Sequence, residues 1–76
     1  MKLHEYFYSK SVAERNQFAD AIDYSHSYVQ IHLIPKNSPP DRLPPLPKLR
    51  LISKATSGVV SFEEVLEHFE QIESAA

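Results

Sequence analysis

All six prolines of this chain lie between Pro35 and Pro47, and that clustering limits what the rest can become. Proline has no amide hydrogen and a fixed φ, so it breaks an interior helical turn and is shut out of central strands. Residue 34 is also biased out of the helical region by the proline after it. A stiff irregular loop is therefore expected at about 35–47, with regular structure on either side. Pro47 is the exception, because in the first turn of a helix its missing amide costs nothing. Elsewhere there is little punctuation: one glycine, Gly58, in 76 residues.

On both sides of the loop the apolar residues recur at helical spacing, and no stretch alternates as a strand would. Leu3, Tyr6 and Phe7 predict a short helix over residues 2–9. Ser11-x-x-Glu14 is a capping box, in which the serine hydroxyl accepts the Glu14 amide and the carboxylate reaches back. It starts a helix from about Val12 to Ile22, with Phe18, Ala19 and Ile22 inward. Asp23 tolerates the left-handed region and ends that helix. Ser25 is the next cap, before a helix from His26 to about Ile34 that buries Val29 and Leu33. Beyond the loop, Leu46, Leu49, Ile52 and Ala55 give a fourth helix its core face, with Gly58 as its stop. Ser61-x-x-Glu64 is a second capping box, and Val60 and Val65 occupy the positions of a hydrophobic staple around it. Val65, Leu66, Phe69 and Ile72 make the last helix amphipathic. The expected fold is all-α: one domain over residues 1–76, a small five-helix bundle with a core of Phe7, Phe18, Ala19, Ile22, Val29, Leu33, Leu49, Ile52, Val65, Leu66 and Phe69.

Composition narrows the function classes. A chain of 76 residues buries only about 60% of its unfolded surface, which leaves little room for an elaborate enzyme pocket. With no cysteine, neither a disulfide nor a thiolate metal site is available. No apolar run reaches the roughly 18 residues needed to cross a bilayer, and Met1-Lys2-Leu3-His4-Glu5 lacks the apolar run of a signal peptide. A soluble cytoplasmic protein with no membrane contact is expected. The formal charge of −2 is unevenly spread. Residues 24–54 carry Lys36, Arg42, Lys48, Arg50 and Lys54 against Asp41 alone. Residues 55–76 carry five glutamates and no cation. The middle could serve a polyanion, with the acidic face kept clear of it, or the tail could simply be a solvated helix that ends the chain.

The span 14–34 holds the one constellation with a function in it. Its pattern is Phe18-Ala19-x-x-Ile22-Asp23-Tyr24-Ser25-x-x-x-Val29-x-x-x-Leu33. A helix-turn-helix explains these choices: a small Ala19 where the second helix crosses, a tight turn at 23, Tyr24 and Val29 in the wedge, and Ser25 as cap. Here the sequence resembles the Cro/repressor-type helix-turn-helix regulators, above all the small YdaS-like phage and prophage proteins. Leu3-x-x-Tyr6-Phe7 is similar to their first helix. Ser11-Val-Ala-Glu-Arg15 through Ile22 is similar to the first motif helix, and Ser25-His-Ser-Tyr-Val-Gln-Ile-His-Leu33 to the recognition helix. Leu49-x-Leu51-Ile52-x-Lys54-Ala55-Thr56-x-Gly58, followed by Val60-Ser61-x-Glu63-Glu64, resembles the closing segment. The chain differs in having Asp23 where glycine is usual, Tyr28 where a small residue is usual, and a longer, proline-rich loop.

The resemblance implies a lambda-repressor-like fold and a sequence-specific regulator of transcription, bound to double-stranded operator DNA through residues 25–34. Arg15, Lys36 and Arg42 would then meet phosphates, which carry most of the affinity. Ser25 would cap the helix and touch the backbone. His26, Ser27, Gln30 and Ile31 would face the major groove. A glutamine amide can pair with adenine, and an isoleucine methyl can pack on thymine. Two copies acting as a homodimer remain open. The rival expectation uses the same scaffold as a phage-type inhibitor or antitoxin-like module, meeting a protein partner through exposed Tyr24, Tyr28, Ile31 and Ile34. An enzyme is not expected, since no nucleophile arrangement or glycine-rich phosphate loop is present. His4, His26, His32 and His68 lack metal-ligand spacing, so no cofactor or metal is expected. Pro44-Pro45-Leu46-Pro47 is similar to a polyproline ligand, but a stiff loop entering a helix is the preferred explanation.

Overall fold

The computed structural model describes residues 1–74, with side chains to Ile72. Among these residues there is no strand, and the chain forms five helices. They are α1 (Leu3–Tyr8), α2 (Val12–Ala21), α3 (His26–Tyr28, continuing as a π-helical turn over Val29–Leu33), α4 (Leu46–Ala55) and α5 (Phe62–Ser74). α2 packs on α3, while α5 receives both α1 and α4. The buried apolar side chains form one continuous cluster.

Local chemistry sets most of the boundaries. Both capping boxes form. The Ser11 hydroxyl accepts from the Glu14 amide at 3.2 Å and the Ser11 amide donates to the Glu14 carboxylate at 3.1 Å. The matching distances for Ser61 and Glu64 are 3.1 and 3.0 Å. Val60 and Val65 are fully buried around the second box, as a hydrophobic staple requires. α2 ends in a Schellman arrangement: the Tyr24 amide bonds Ala19 O at 3.0 Å and the Asp23 amide bonds Asp20 O at 3.1 Å. That closure needs a left-handed residue, and Asp23 has φ 60°. Lys48 donates to Ile22 O at 2.8 Å, placing a cation at the negative end of α2.

Three expectations change. The third helix does not run as α-helix to Ile34. From Val29 its bonding passes to i→i+5, closed by Ile34 N–H on Val29 O at 2.7 Å. Five residues carry an α-helix well past one turn, whereas the wider i→i+5 bonding of a π-helix sets the fifth residue under the first. Ile34 therefore comes round beneath Val29 and is buried, not exposed. Leu46 shares a stripe with Leu49 and Ile52, yet stands on the first turn beyond the covered stretch and is 51% exposed. The fourth helix stops at Ala55, before Gly58, because Ser57 (φ 57°) already takes the left-handed conformation and Gly58 (φ 83°) continues it. Thr56, buried there, donates to Ser53 O at 2.7 Å and accepts from the Val60 amide at 3.1 Å. The expected core is otherwise found, with Leu66 at its partly buried edge and Leu3, Ile34 and Val60 added.

The proline-rich loop is tied down. Pro35, Pro40 and Pro44 are buried. The Asp41 amide donates to His32 O at 3.1 Å, and His32 Nδ1 lies 2.9 Å from the Asp41 carboxylate. Pro44 is buried while Pro45, Leu46 and Pro47 are exposed, and the segment leads directly into the first turn of α4.

Candidate nucleic-acid interface

α3 presents the face on which the sequence placed its base-reading residues. Ser25 caps it, its hydroxyl accepting from the Tyr28 amide at 3.1 Å. Ser27, Gln30 and Ile31 point to solvent, Ile31 with 61% of its surface exposed. The opposite face, Val29 and Leu33, is buried. Tyr28 lies on the flank between Tyr24, stacked at 4.9 Å and 16°, and the His32 ring at 5.0 Å. Lys48 Nζ sits 5.0 Å from the Tyr24 ring centroid. Tyr24 and Tyr28 are thus half-buried in an aromatic ladder beside the outward row, which is why a bulky residue is accommodated at 28.

His26 behaves differently from its neighbours. Its ring stacks on Phe7 at 6.2 Å, and its Nε2 is enclosed without a hydrogen-bond partner among the described residues. It belongs to the contact between α1 and α3 more than to the outward row. Arg15 is also held in place. Its Nε donates to Lys10 O at 3.0 Å, and its guanidinium lies 5.2 Å from the Tyr8 ring and 5.8 Å from the Phe7 ring. Such stacking fixes the group while leaving its charge intact.

Lys36 and Arg42 are exposed on the loop, and both follow anchored backbone. A helix C-terminus leaves carbonyls without internal partners, and here distant groups take them up. Leu33 O accepts from His68 Nε2 at 2.8 Å, Ile34 O from the Tyr8 hydroxyl, and Lys36 O from His4 Nε2 at 2.9 Å. A carbonyl only accepts, so both rings carry their proton on Nε2. Together with Asp41 on His32 O, these bonds hold the far end of α3 from α1, α5 and the loop. Lys36 sits at one of the bonded carbonyls, and Arg42 follows Asp41. No family model, characterised protein or solved structure matches this chain.

Neither His4, Tyr8 nor His68 was singled out as a site residue from the sequence. Their only signal is a polar group sharing a face with buried neighbours, such as His68 beside Phe69 one turn after Val65. Among the described residues no three His, Asp or Glu side chains converge as metal ligands would, and no helix is long and apolar enough to cross a membrane.

His68 gives the fold a pH dependence. Burial holds its pKa below the ordinary histidine value; the Leu33 carbonyl opposes that shift and nearby His4 adds to it. The folded state thus favours the neutral ring. Its contribution is full above the unfolded histidine pKa of about 6.5 and is lost as pH falls through the lower folded value. Thermal melts between about pH 7 and 5 should show stability falling on acidification. His68→Gln should flatten that fall, whatever it does to stability at neutral pH, and an unchanged pH slope would contradict the assignment.

Proposed function

We propose that the α2–turn–α3 unit acts as a helix-turn-helix and that the protein is a regulator of the Cro/repressor type, binding duplex operator DNA with no chemistry of its own. The observation that carries the reading is the outward row of Ser27, Gln30 and Ile31 on a capped helix whose other end is anchored. Ser27, Gln30 and Ile31 read bases. Lys36 and Arg42 supply phosphate contacts from the tethered loop, and Arg15 supplies one from α2. Ser25 caps and touches the backbone. His26, stacked on Phe7, sets the helix in place more than it reads sequence.

Binding to duplex DNA at two salt concentrations tests this. Neutralised phosphates release counterions, so affinity should fall at least about tenfold between roughly 50 and 200 mM salt. Absence of binding at the lower salt would end the DNA reading. The competing function, capture of a protein by the same face, draws on the exposure of Ile31. It no longer has Ile34, which is buried. Duplex binding that survives Gln30→Ala and Ile31→Ala, with a protein partner lost, would favour it.

A further inference from the structure

Where α1 and α2 meet the end of α4, the surface opens into a recess of about 190 Å³. One wall is aromatic. Phe7 and Phe18 are buried in it and Tyr6 is half-buried. Phe18 lies 6.0 Å from Tyr6 and 5.9 Å from Phe7, centroid to centroid. Ala21 and Ala55 complete this wall with nothing larger than a methyl group. The other wall is charged. Lys10 Nζ stands 4.9 Å from the Tyr6 ring centroid, and the Arg15 guanidinium stands 5.8 Å from that of Phe7. Among the described residues neither cation is ion-paired. Glu14, the one carboxylate on this wall, is held by Ser11 in the capping box. Arg15 Nε is taken by Lys10 O, which leaves the terminal N–H groups of the fork for another acceptor.

The two walls select a ligand between them. Ring edges and faces favour a flat apolar group. A guanidinium fork beside an ammonium favours a carboxylate. Two cations against Glu14 leave one positive charge to be matched, so a monoanion suits the recess and a dianion meets repulsion from Glu14. The volume lies below the roughly 300–1,000 Å³ of drug-sized sites, which limits the ligand to about ten non-hydrogen atoms. We propose that this recess binds a small aromatic carboxylic acid. The ring of the acid packs against Tyr6 and Phe18, and its carboxylate lies between Lys10 and Arg15. Arg15 is also the α2 residue assigned to a DNA phosphate, so the acid and that phosphate exclude one another there. Binding of the acid does not rest on the DNA reading and is measured without DNA.

Phenylacetate is the probe, titrated into the full chain while amide chemical shifts are followed by NMR. The responding amides should cluster at residues 6–21 and around Ala55. A ligand of this size at ordinary efficiency should show a dissociation constant between about 0.1 and 1 mM. Phenylacetamide has the same shape without the charge, and should bind at least about tenfold more weakly because its bonds to the cations are no longer charge-assisted. Lys10→Gln should weaken phenylacetate at least about threefold, the scale of one partly exposed charge pair. Ala21→Leu, at an exposed position of α2, should block the recess while every charge stays in place. Shifts that do not saturate below about 10 mM overturn the proposal. Acid and amide bound alike also overturn it, since the cations then play no part. Inorganic phosphate bound as tightly as phenylacetate would show an anion site indifferent to the rings and overturn the ligand class. Binding untouched by both variants would put the acid elsewhere on the molecule, and the recess would lose its assignment.

Discussion

Phe7→Ala is expected to remove about 3–5 kcal/mol of stability, the usual loss when a buried phenylalanine is truncated. The side chain is almost fully enclosed and joins three helices. Within α1 it meets Tyr8 edge-on at 5.0 Å. It meets Phe18 of α2 at 5.9 Å, and the His26 ring of α3 lies over it at 6.2 Å. Arg15 adds its guanidinium at 5.8 Å. Truncation therefore leaves a void where α1, α2 and α3 meet, and it removes the ring that His26 stacks on. Folded domains have only about 5–15 kcal/mol in hand, and a chain this short lies near the lower end. The melting temperature should drop by more than about 10 °C. An unchanged melt would show that the three helices are not joined through this ring.

The second large effect concerns discrimination between DNA sequences. Gln30→Ala should flatten the preference at one base pair by about 1–3 kcal/mol, because a glutamine amide offers the donor and acceptor that match adenine's N6 and N7 edge. Lys36→Ala should weaken all duplexes alike and lower the salt slope by about one unit, since a phosphate is the same at every step. Titration against an operator and a scrambled duplex separates the two. If both variants weaken both duplexes equally, Gln30 is not reading a base.

The sequence was most informative where a single side chain fixes a single backbone group. Ser11, Ser25 and Ser61 each cap the helix that follows them. Asp23 takes the left-handed turn. The apolar stripes of α4 and α5 yielded Leu49, Ile52, Val65 and Phe69 as core. What stayed hidden depends on partners far along the chain. The π turn leaves no periodic trace, since its bonding rests on how residues 29–34 fit their surroundings, and the burial of Ile34 follows from it. His68 and Tyr8 read as polar positions on amphipathic helices until the carbonyls opposite them are in view. Of the candidate interface, the outward row of Ser27, Gln30 and Ile31 was legible from helical spacing after the Ser25 cap. The inward set of His26 was not, because it depends on Phe7, which is distant in sequence.

The anchoring of α3 also bears on the order in which the protein can assemble. The carbonyls at its end are taken up by Tyr8, 26 residues upstream of Ile34, and by His68, 35 residues downstream of Leu33. Closing loops of that length is slow compared with winding a helical turn, so the last turn of α3 has to wait for both. The Ser25 end can flicker into helix locally, but the outward row acquires its final twist only when α1 and α5 have docked. Amide hydrogens of residues 29–34 should then exchange with solvent only through opening of the whole molecule, not by fraying of one helix. A chain still missing its last helix would hold every residue of the candidate interface and not yet the surface they form.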